Sequence, residues 1–197
     1  MQYQTLEKQL GFCISILEKN KELMDVLSFL EQMALPNYYI AAGAVFQTIW
    51  NYQDGRDLNY GIKDIDVIYY DSSNLSVEQD LDYYQKIQSY VEEKGYPYQI
   101  DVSNEARMHL WKEAKEGKKV LPYKNSEDAI CRWIATVHAI GITLENKQLQ
   151  VYAPYGLSDL LSRTIRPIQH EGNSRMLYEK KAEGWQKRFS HVIIIPW

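Results

Sequence analysis

The chain has 197 residues, enough for one well-packed domain or for a core domain with one appended element. Its hydrophobic share of 45% and charged share of 24% are ordinary for a globular protein, and no apolar run approaches the length that crosses a bilayer. Met1 to Lys8 has no basic stretch leading into an apolar run, which argues against a secretory signal. Neither Cys13 nor Cys131 has a Cys or His nearby at ligand spacing. We therefore expect a cytoplasmic protein with buried free thiols and without a zinc site.

The net charge of −4 is unevenly distributed along the chain. From Ser162 to the C-terminus, seven Lys or Arg residues stand against three acidic ones, so this segment carries +4 and the remainder carries −8. A basic segment of this kind is typical of proteins with a phosphate-bearing partner, but a solvated helix face has the same composition. The charge alone leaves both interpretations open.

Hydrophobic periodicity, helix caps and turn residues predict alternating helices and strands. The predicted helices lie at about 6–33 in one or two pieces, 45–52, 76–93, 104–115, 126–138, 157–162 and 174–188. The predicted strands lie at 38–41, 62–70, 98–102, 141–144, 149–152 and 192–195. This order predicts an α/β (α+β) fold in which helices flank a mixed sheet.

The strand predicted at 62–70 carries a pair of carboxylates. Strand side chains alternate between two faces, so Asp64 and Asp66 project from the same side, roughly 6.5–7 Å apart along the strand. Like charges at this spacing repel each other, and a divalent cation would relieve the repulsion. Mg²⁺, or Mn²⁺, suits such a site because it takes carboxylates and completes its shell with water and phosphate oxygens. Asp101, on the next predicted strand, is the expected third carboxylate of a two-metal site.

The carboxylate pair also has a simpler interpretation, because charged residues keep an exposed edge strand from aggregating. A feature upstream favours the metal site. Ala42, Gly43 and Ala44 form a narrow turn between a strand and a helix, about 20 residues before the Asp-x-Asp strand. The N-terminus of that helix offers free N–H groups and a positive dipole end to phosphates.

Together these motifs resemble the polymerase-β-like nucleotidyltransferase superfamily, in which a small-residue turn precedes Asp-x-Asp on the next strand. Ala42-Gly43-Ala44-Val45 and Lys63-Asp64-Ile65-Asp66-Val67 are most similar to the head domain of CCA-adding enzymes and poly(A) polymerases. The segments 104–111, 151–160 and 166–167 resemble a family of bacterial nucleotidyltransferase-like proteins. The chain differs from CCA-adding heads at Ala42, where a second glycine is usual, and at Phe46-Gln47, where Arg-Asp is usual.

The resemblance implies one nucleotidyltransferase-like domain over 1–197. Its parts would be an N-terminal helical element at 1–36, a catalytic core at 37–105 and a C-terminal extension at 106–197 that completes the fold. The expected catalytic metal ligands are Asp64, Asp66 and Asp101.

The expected nucleotide-binding residues are Ala42, Gly43, Ala44, Lys63, Arg107 and Trp111. Arg107 would clamp triphosphate oxygens and Trp111 would stack on a base, although the two could equally form a structural surface pair. Lys63 precedes the first Asp and is expected to point to the opposite face from it. Arg163 and Arg166 are expected to add positive charge near the active face.

The leading hypothesis is a metal-dependent enzyme that transfers a nucleoside monophosphate from an NTP to a hydroxyl or phosphate acceptor on RNA, protein or a small molecule. The first alternative is a catalytically inactive nucleotide-binding or protein-interaction module on the same fold. The second is RNA binding through the basic C-terminal segment, which would weaken with salt. The sequence identifies neither the base of the NTP nor the acceptor.

Overall fold

The computed structural model describes residues 5–117, 119–170 and 172–197. Its helices are α1 (Leu6–Leu17), α2 (Lys21–Met33), α3 (Gly43–Gln53), α4 (Val77–Glu93), α5 (Met108–Glu116), α6 (Ser126–Ile130), α7 (Ser158–Leu161) and α8 (Arg175–Arg188). Its strands are β1 (Tyr39–Ala41), β2 (Asp64–Tyr69), β3 (Gln99–Asn104), β4 (Gly141–Glu145), β5 (Gln148–Tyr152), β6 (Thr164–Ile165) and β7 (Ile193–Ile194). A 3₁₀ turn over Glu105–Arg107 connects β3 to α5.

One sheet with the strand order β3-β2-β1-β4-β5 organises the fold. β2 and β3 run parallel, whereas β1 pairs antiparallel with both β2 and β4, and β4 pairs antiparallel with β5. β6 and β7 form a separate parallel ladder. The predicted α/β fold, a mixed sheet flanked by helices, is confirmed.

The two faces of the large sheet have different surroundings. One face belongs to the main hydrophobic core, which it forms with α1 to α4 through Ile40, Ile65, Val67, Ile142 and Leu144. The opposite face carries a smaller cluster that includes Tyr39, Ala41 and Ile68. Because strand side chains alternate, Asp64 and Asp66 share this second face with Ile68. The carboxylates therefore lie on the side of the sheet away from the main core.

Helix α8 reaches the sheet from the C-terminal part of the chain. Its apolar side buries Tyr178, Ala182 and Trp185 in the main core, and Trp185 meets Phe46 of α3 edge to face at 5.2 Å between ring centroids. Such aromatic burial is worth several kcal/mol in a domain core, of the order of 3–5 for a Trp. It fixes Lys181, which flanks this apolar side, near Asp64 and Asp66.

The helix predicted at 126–138 is wrong beyond its first turn. The structure has a helix only at Ser126–Ile130, and its N-cap is Asn125, whose side chain accepts from the Asp128 N–H at 2.7 Å. The following backbone pairs with a distant segment, since the Thr136 N–H donates to the Arg166 carbonyl at 3.0 Å and the Ile168 N–H donates to the Ile134 carbonyl at 3.1 Å. A continuing helix would need those same groups for its own hydrogen bonds.

Within the described ranges, no helix combines the length and the apolar character needed to span a membrane.

Candidate functional site

The three expected carboxylates come together on two neighbouring strands. Asp66 on β2 is the register partner of Asp101 on β3, and Asp64 lies two residues before Asp66 on the same face. On its other side, Asp66 is the register partner of Ala41. Asp64 and Asp101 are exposed, whereas Asp66 is partly buried between the small side chain of Ala41 and Asp101. The site is thus a carboxylate cluster at the start of two parallel strands.

Asp66 carries the strongest electrostatic perturbation of the three. Its pKa is raised to about 6, mainly because burial disfavours the charged form and also because Asp64 and Asp101 repel that charge. Lys181 and a hydrogen bond from the backbone N–H of Gly43 act in the opposite direction. A cation bound near Asp66 would therefore stabilise the charged form of this carboxylate.

The turn from β1 into α3 delivers that Gly43 N–H. Ala42 has φ 53° and ψ −116°, a conformation that an L-residue rarely adopts, and its own N–H donates to the Ile140 carbonyl at 2.9 Å. A backbone of this kind costs roughly 1–3 kcal/mol, which the surrounding packing must offset. The turn aims the N-terminus of α3 at Asp66. The Ala44 side chain, by contrast, is buried in the main core.

A cavity of about 170 Å³ opens beside the carboxylate cluster. Besides Asp66 and Asp101, its lining includes four residues that sequence reasoning did not assign to a site: Glu105, Trp133, His138 and Lys181. They come from the 3₁₀ turn, from the segment after α6 and from α8, far apart in sequence. No motif joins them, and the packing of these distant elements around the sheet brings them together.

Lys181 is the cation that faces the carboxylates. Burial lowers its pKa, and Asp66 and Asp64 oppose that shift. Its Nζ lies 3.5 Å from Nε2 of His138. Burial also lowers the pKa of His138 well below its usual value, so the imidazole is neutral at pH 7, and the ring stacks on Trp185 at 5.4 Å between centroids. Within the described residues, the buried Nδ1 of His138 has no hydrogen-bond partner.

Glu105 adds a fourth acidic group at the edge of this cavity. The residue is 5% exposed, and burial raises its pKa to about 8, with further contributions from Asp80, Asp101 and Asp66. Lys112 opposes the shift. At pH 7 the carboxyl is therefore mostly protonated and can donate a hydrogen bond into the cavity.

A larger groove of about 860 Å³ adjoins the carboxylates through Lys181. We call it the basic groove; its lining comprises Arg56, Tyr60, Gly61, Lys63, Leu177, Lys180, Lys181, Gly184, Trp185, Lys187 and Arg188. Arg188 is close enough to Asp64 for the carboxylate to raise its pKa against the lowering caused by burial. Lys63 lies just before β2 begins, so strand alternation does not govern its side chain, and it lines this groove instead of pointing away.

Trp111, the residue expected to stack on a base, lies at a second cleft of about 320 Å³, which shares Glu105, Trp133, His138 and Lys181 with the carboxylate cavity. Trp111 lines this cleft with 40% of its surface exposed, and the Lys115 ammonium lies 4.3 Å from its ring centroid. Arg107 is engaged elsewhere, because its guanidinium forms a 2.8 Å ion pair with Asp80 of α4.

Arg163 and Arg166 do not add positive charge to the site. Arg163 is 7% exposed and forms an ion pair with Asp54 at 2.6 Å, while Arg166 forms one with Asp159 at 3.0 Å. Both cations are therefore neutralised by structural partners. The positive charge near the carboxylates comes from Lys181 and Arg188. Helical periodicity in the C-terminal basic segment predicts that these two residues share one face.

The carboxylates are donors of the kind that a divalent metal takes, and they lie on adjacent strands. Mg²⁺ and Mn²⁺ bind hard oxygen donors, and a cation here would offset the burial and the repulsion from Asp64 and Asp101 that raise the pKa of Asp66. As the side chains stand, however, no group of three or more His, Cys, Asp or Glu residues within the described ranges converges closely enough to hold an ion. Binding would need the carboxylates to turn towards one point.

Comparisons with known proteins bear on the family and the fold of the chain. A family model described as "Nucleotidyltransferase" matches residues 28–194. An NMR structure described as revealing a CCA-adding enzyme head domain is 26% identical; the match covers 95% of this chain and 96% of that one, with a TM-score of 0.78. The complex structure of a CCA-adding enzyme with ATP is 15% identical, and the match covers 98% of this chain but 44% of that one, with a TM-score of 0.48. No curated protein matches the chain.

The fold is that of a nucleotidyltransferase domain. The chain belongs to the nucleotidyltransferase family whose model covers residues 28–194.

Proposed function

We propose that the protein is a metal-dependent nucleotidyltransferase that moves a nucleoside monophosphate from an NTP to a hydroxyl or phosphate acceptor and releases pyrophosphate. The observation that carries this proposal is the register of Asp66 with Asp101, beside Asp64 and beneath the N-terminus of α3. It gathers three carboxylates at one place, where burial and the two neighbouring carboxylates already disfavour the charge of Asp66. A substrate that arrives with a divalent cation would remove that penalty.

Asp64, Asp66 and Asp101 would hold Mg²⁺ or Mn²⁺, which neutralises charge on the triphosphate and lowers the pKa of an attacking hydroxyl. Asp101 is the most exposed position facing the neighbouring cavity, and we assign its carboxylate oxygen the task of accepting the acceptor's proton. Attack on the α-phosphorus then forms the new phosphoester and breaks the bond to pyrophosphate. The Lys181 ammonium and the Arg188 guanidinium are placed to bind the leaving phosphates.

The nucleoside is assigned to the cleft beside Trp111, because that cleft shares residues with the carboxylate cavity and offers an exposed aromatic face. Glu105 lies where the two meet and can hydrogen-bond a polar group of the nucleotide. Arg107 keeps a supporting role through Asp80, which also accepts from the Tyr69 hydroxyl at 2.6 Å and from the Asn104 N–H at 3.1 Å. That cluster fixes the end of β3 and hence Asp101.

The test is calorimetric titration of each NTP into the protein with Mn²⁺ and with EDTA. We expect binding only with metal, and we expect Asp64→Ala to weaken it by more than about 100-fold, beyond the 10–100-fold typical of residues behind the ligands. Asp82→Ala is the matched control, since Asp82 is an exposed carboxylate ion-paired with Lys86 on α4. Unchanged NTP affinity in Asp64→Ala would rule out the assigned mechanism.

A second candidate is a catalytically inactive module that senses a nucleotide. Two observations favour it: the carboxylate side chains do not converge as they stand, and Phe46 is buried in the core instead of offering a charge at the start of α3. Turnover separates the two candidates. Labelled NTP incubated with RNA, protein and small-molecule acceptor pools should give a labelled product and pyrophosphate only if the first is correct.

A further inference from the structure

The basic groove holds an unusual concentration of one charge sign. Its lining contains six cations, namely Arg56, Lys63, Lys180, Lys181, Lys187 and Arg188, and no Asp or Glu. The chain as a whole has a net charge of −4, so this surface differs in sign from the rest of the molecule. Such a field attracts polyanions and raises their association rate.

Three of these cations are not neutralised by the protein. Within residues 5–117, 119–170 and 172–197, the side chains of Lys63, Lys180 and Lys187 form no ion pair and donate no hydrogen bond. Elsewhere on the surface, Lys86 and Arg175 are each paired with an acid one helical turn away. A solvated helix face of the ordinary kind mixes both signs, and this face does not.

The cations of α8 form a stripe that leads to the carboxylates. Lys180, Lys181, Lys187 and Arg188 recur at helical spacing, and the acidic residues Glu179 and Glu183 fall outside the groove lining. The stripe is about 12 Å long at 1.5 Å per residue. Lys181 and Arg188 are already assigned to the triphosphate, whose charge a metal partly cancels. The remaining cations exceed what one nucleotide needs and point to a longer polyanion.

The middle of this stripe is a glycine. Gly184 lies inside α8 and lines the groove, and a Cβ built on it would meet no atom within 4 Å. Packing therefore gives no reason for a residue that weakens a helix interior relative to alanine. The missing side chain leaves the helix backbone open at the floor of the groove, where a bound chain can approach closely.

An exposed aromatic residue stands at the rim. Tyr60 is 58% exposed, and the Arg56 guanidinium carbon lies 5.0 Å from its ring centroid. A positive groove combined with an accessible aromatic face is how proteins bind single-stranded nucleic acids, since every base offers a face for stacking. An acidic peptide would use the charge but has no base to stack on Tyr60.

We propose that the basic groove binds a single-stranded nucleic acid, whose end is the acceptor at the carboxylate cluster. The role as acceptor rests on the proposed nucleotidyltransferase function, whereas binding in the groove does not. The strand's phosphates contact Lys63, Lys180 and Lys187, its backbone passes over Gly184, and a base stacks on Tyr60.

The first test measures the fluorescence anisotropy of a labelled 12-nucleotide strand, as RNA and as DNA, without NTP or metal, from 50 to 200 mM salt. We expect Lys180→Ala/Lys187→Ala to weaken binding at least about fivefold at 50 mM salt and to reduce the slope of log K against log salt by about 1.4. Lys8→Ala/Lys21→Ala removes the same charge from exposed positions on α1 and α2, outside the groove, and should leave both quantities unchanged. The affinities for RNA and DNA should differ only if the protein also contacts a ribose hydroxyl.

The second test uses two helix glycines. Gly184→Ala and Gly11→Ala each add a methyl group to an exposed helix position with open space around it, so both should raise the Tm by about 2–4 °C. Only Gly184→Ala should weaken binding of the strand. The proposal would be overturned if Gly184→Ala and Gly11→Ala bound the strand with the same affinity. It would also be overturned if Lys8→Ala/Lys21→Ala lost as much affinity as Lys180→Ala/Lys187→Ala, or if polyglutamate displaced the labelled strand as effectively as an unlabelled strand does. Asp64→Ala, which removes a negative charge near Arg188, should bind the strand at least as tightly as the unaltered protein while it loses NTP binding, which separates failure of this proposal from failure of the proposed function.

Discussion

Asp66 is the residue at which stability and the proposed metal site conflict most directly. Its carboxylate is largely buried, next to two other carboxylates, and its pKa is about 6 against an ordinary value of 3.8. At pH 7 the folded protein therefore holds this group charged at a penalty that the unfolded chain does not have. The penalty is roughly 1–3 kcal/mol, since each pH unit of difference corresponds to about 1.4 kcal/mol.

We predict that Asp66→Asn stabilises the protein at neutral pH. Because the folded-state pKa is raised above the unfolded one, the folded state binds more protons between about pH 4 and pH 6, and stability falls as the pH rises through that window. The amide removes this loss, so the variant should gain roughly 1–3 kcal/mol at pH 7.5 and almost nothing at pH 4. Urea unfolding at the two pH values measures both differences.

Asp82→Asn provides the comparison, because Asp82 is exposed and paired only with Lys86. It should change the free energy of unfolding by less than about 1 kcal/mol at either pH. A gain for Asp66→Asn that is the same at pH 4 and pH 7.5 would show that the charge of Asp66 is not its origin. The same variant should lose metal-dependent NTP binding.

Sequence reasoning located the carboxylates because two rules act locally on them. Alternation along a strand puts Asp64 and Asp66 on one face, and a strand after a crossover helix brings Asp101 alongside. Lys181, Glu105 and His138 could not be found in this way, since their contribution depends on how distant elements pack. Arg107 illustrates the reverse case: a suitable residue type at a suitable spacing is engaged by Asp80 of α4, whose position no local pattern reveals.

At the scale of elements, a buried ion pair connects α3 to the small β6–β7 ladder. Arg163 immediately precedes β6 and binds Asp54 at the end of α3, and it also donates to the Ser190 carbonyl at 2.6 Å and to the Trp50 carbonyl at 3.2 Å. One guanidinium thus binds acceptor groups of α3 and of the segment that follows α8. The sequence could suggest a charged residue there but not that it is 7% exposed.

We predict that Arg163→Ala lowers the free energy of unfolding by roughly 3–5 kcal/mol, because it leaves the Asp54 carboxylate buried without its main partner. Arg166→Ala, three residues away, breaks an exposed pair with Asp159 and should cost no more than about 1 kcal/mol. Chemical denaturation of the two variants in parallel measures the difference. Equal losses would mean that Arg163 acts as an ordinary surface charge.

The helix predicted at 126–138 shows why element boundaries were the less predictable part. Apolar residues continue at helical spacing past Ile130, so the local pattern favours continuation. Instead, the backbone after Ile130 forms hydrogen bonds with residues 166–168, those of the Thr136 and Ile168 N–H groups. That exchange places Trp133 and His138 in the carboxylate cavity, where a regular helix would not have brought both.

At the scale of the whole molecule, the sheet takes its strands from both parts of the chain. β1, β2 and β3 lie within 37–105, but β4 pairs with β1 in the middle of the sheet and comes from 141–145. The alternation of elements predicted a mixed sheet, while the order β3-β2-β1-β4-β5 depends on long-range pairing that periodicity does not encode. The segment 37–105, predicted as the catalytic core, therefore does not contain all the strands of its sheet.

We predict that a fragment of residues 1–105 does not fold by itself. Without β4 and β5, β1 would become an edge strand with an unpaired row of N–H and carbonyl groups, and the α2 side of the core would lose Ile142 and Leu144. Without α8, Phe46 and Trp50 would lose their edge-to-face contacts with Trp185 and Phe189 at 5.2 and 5.1 Å.

Circular dichroism and urea titration of the fragment and of the full chain measure whether each of them unfolds cooperatively. For the full chain we expect one transition by far-UV ellipticity and by tryptophan fluorescence, since Trp50 and Trp185 report on parts of the sequence that share one core. For the fragment we expect no cooperative transition. A cooperative transition in the fragment would mean that the first three strands suffice for a core, and that α8 joins an already folded site instead of completing it.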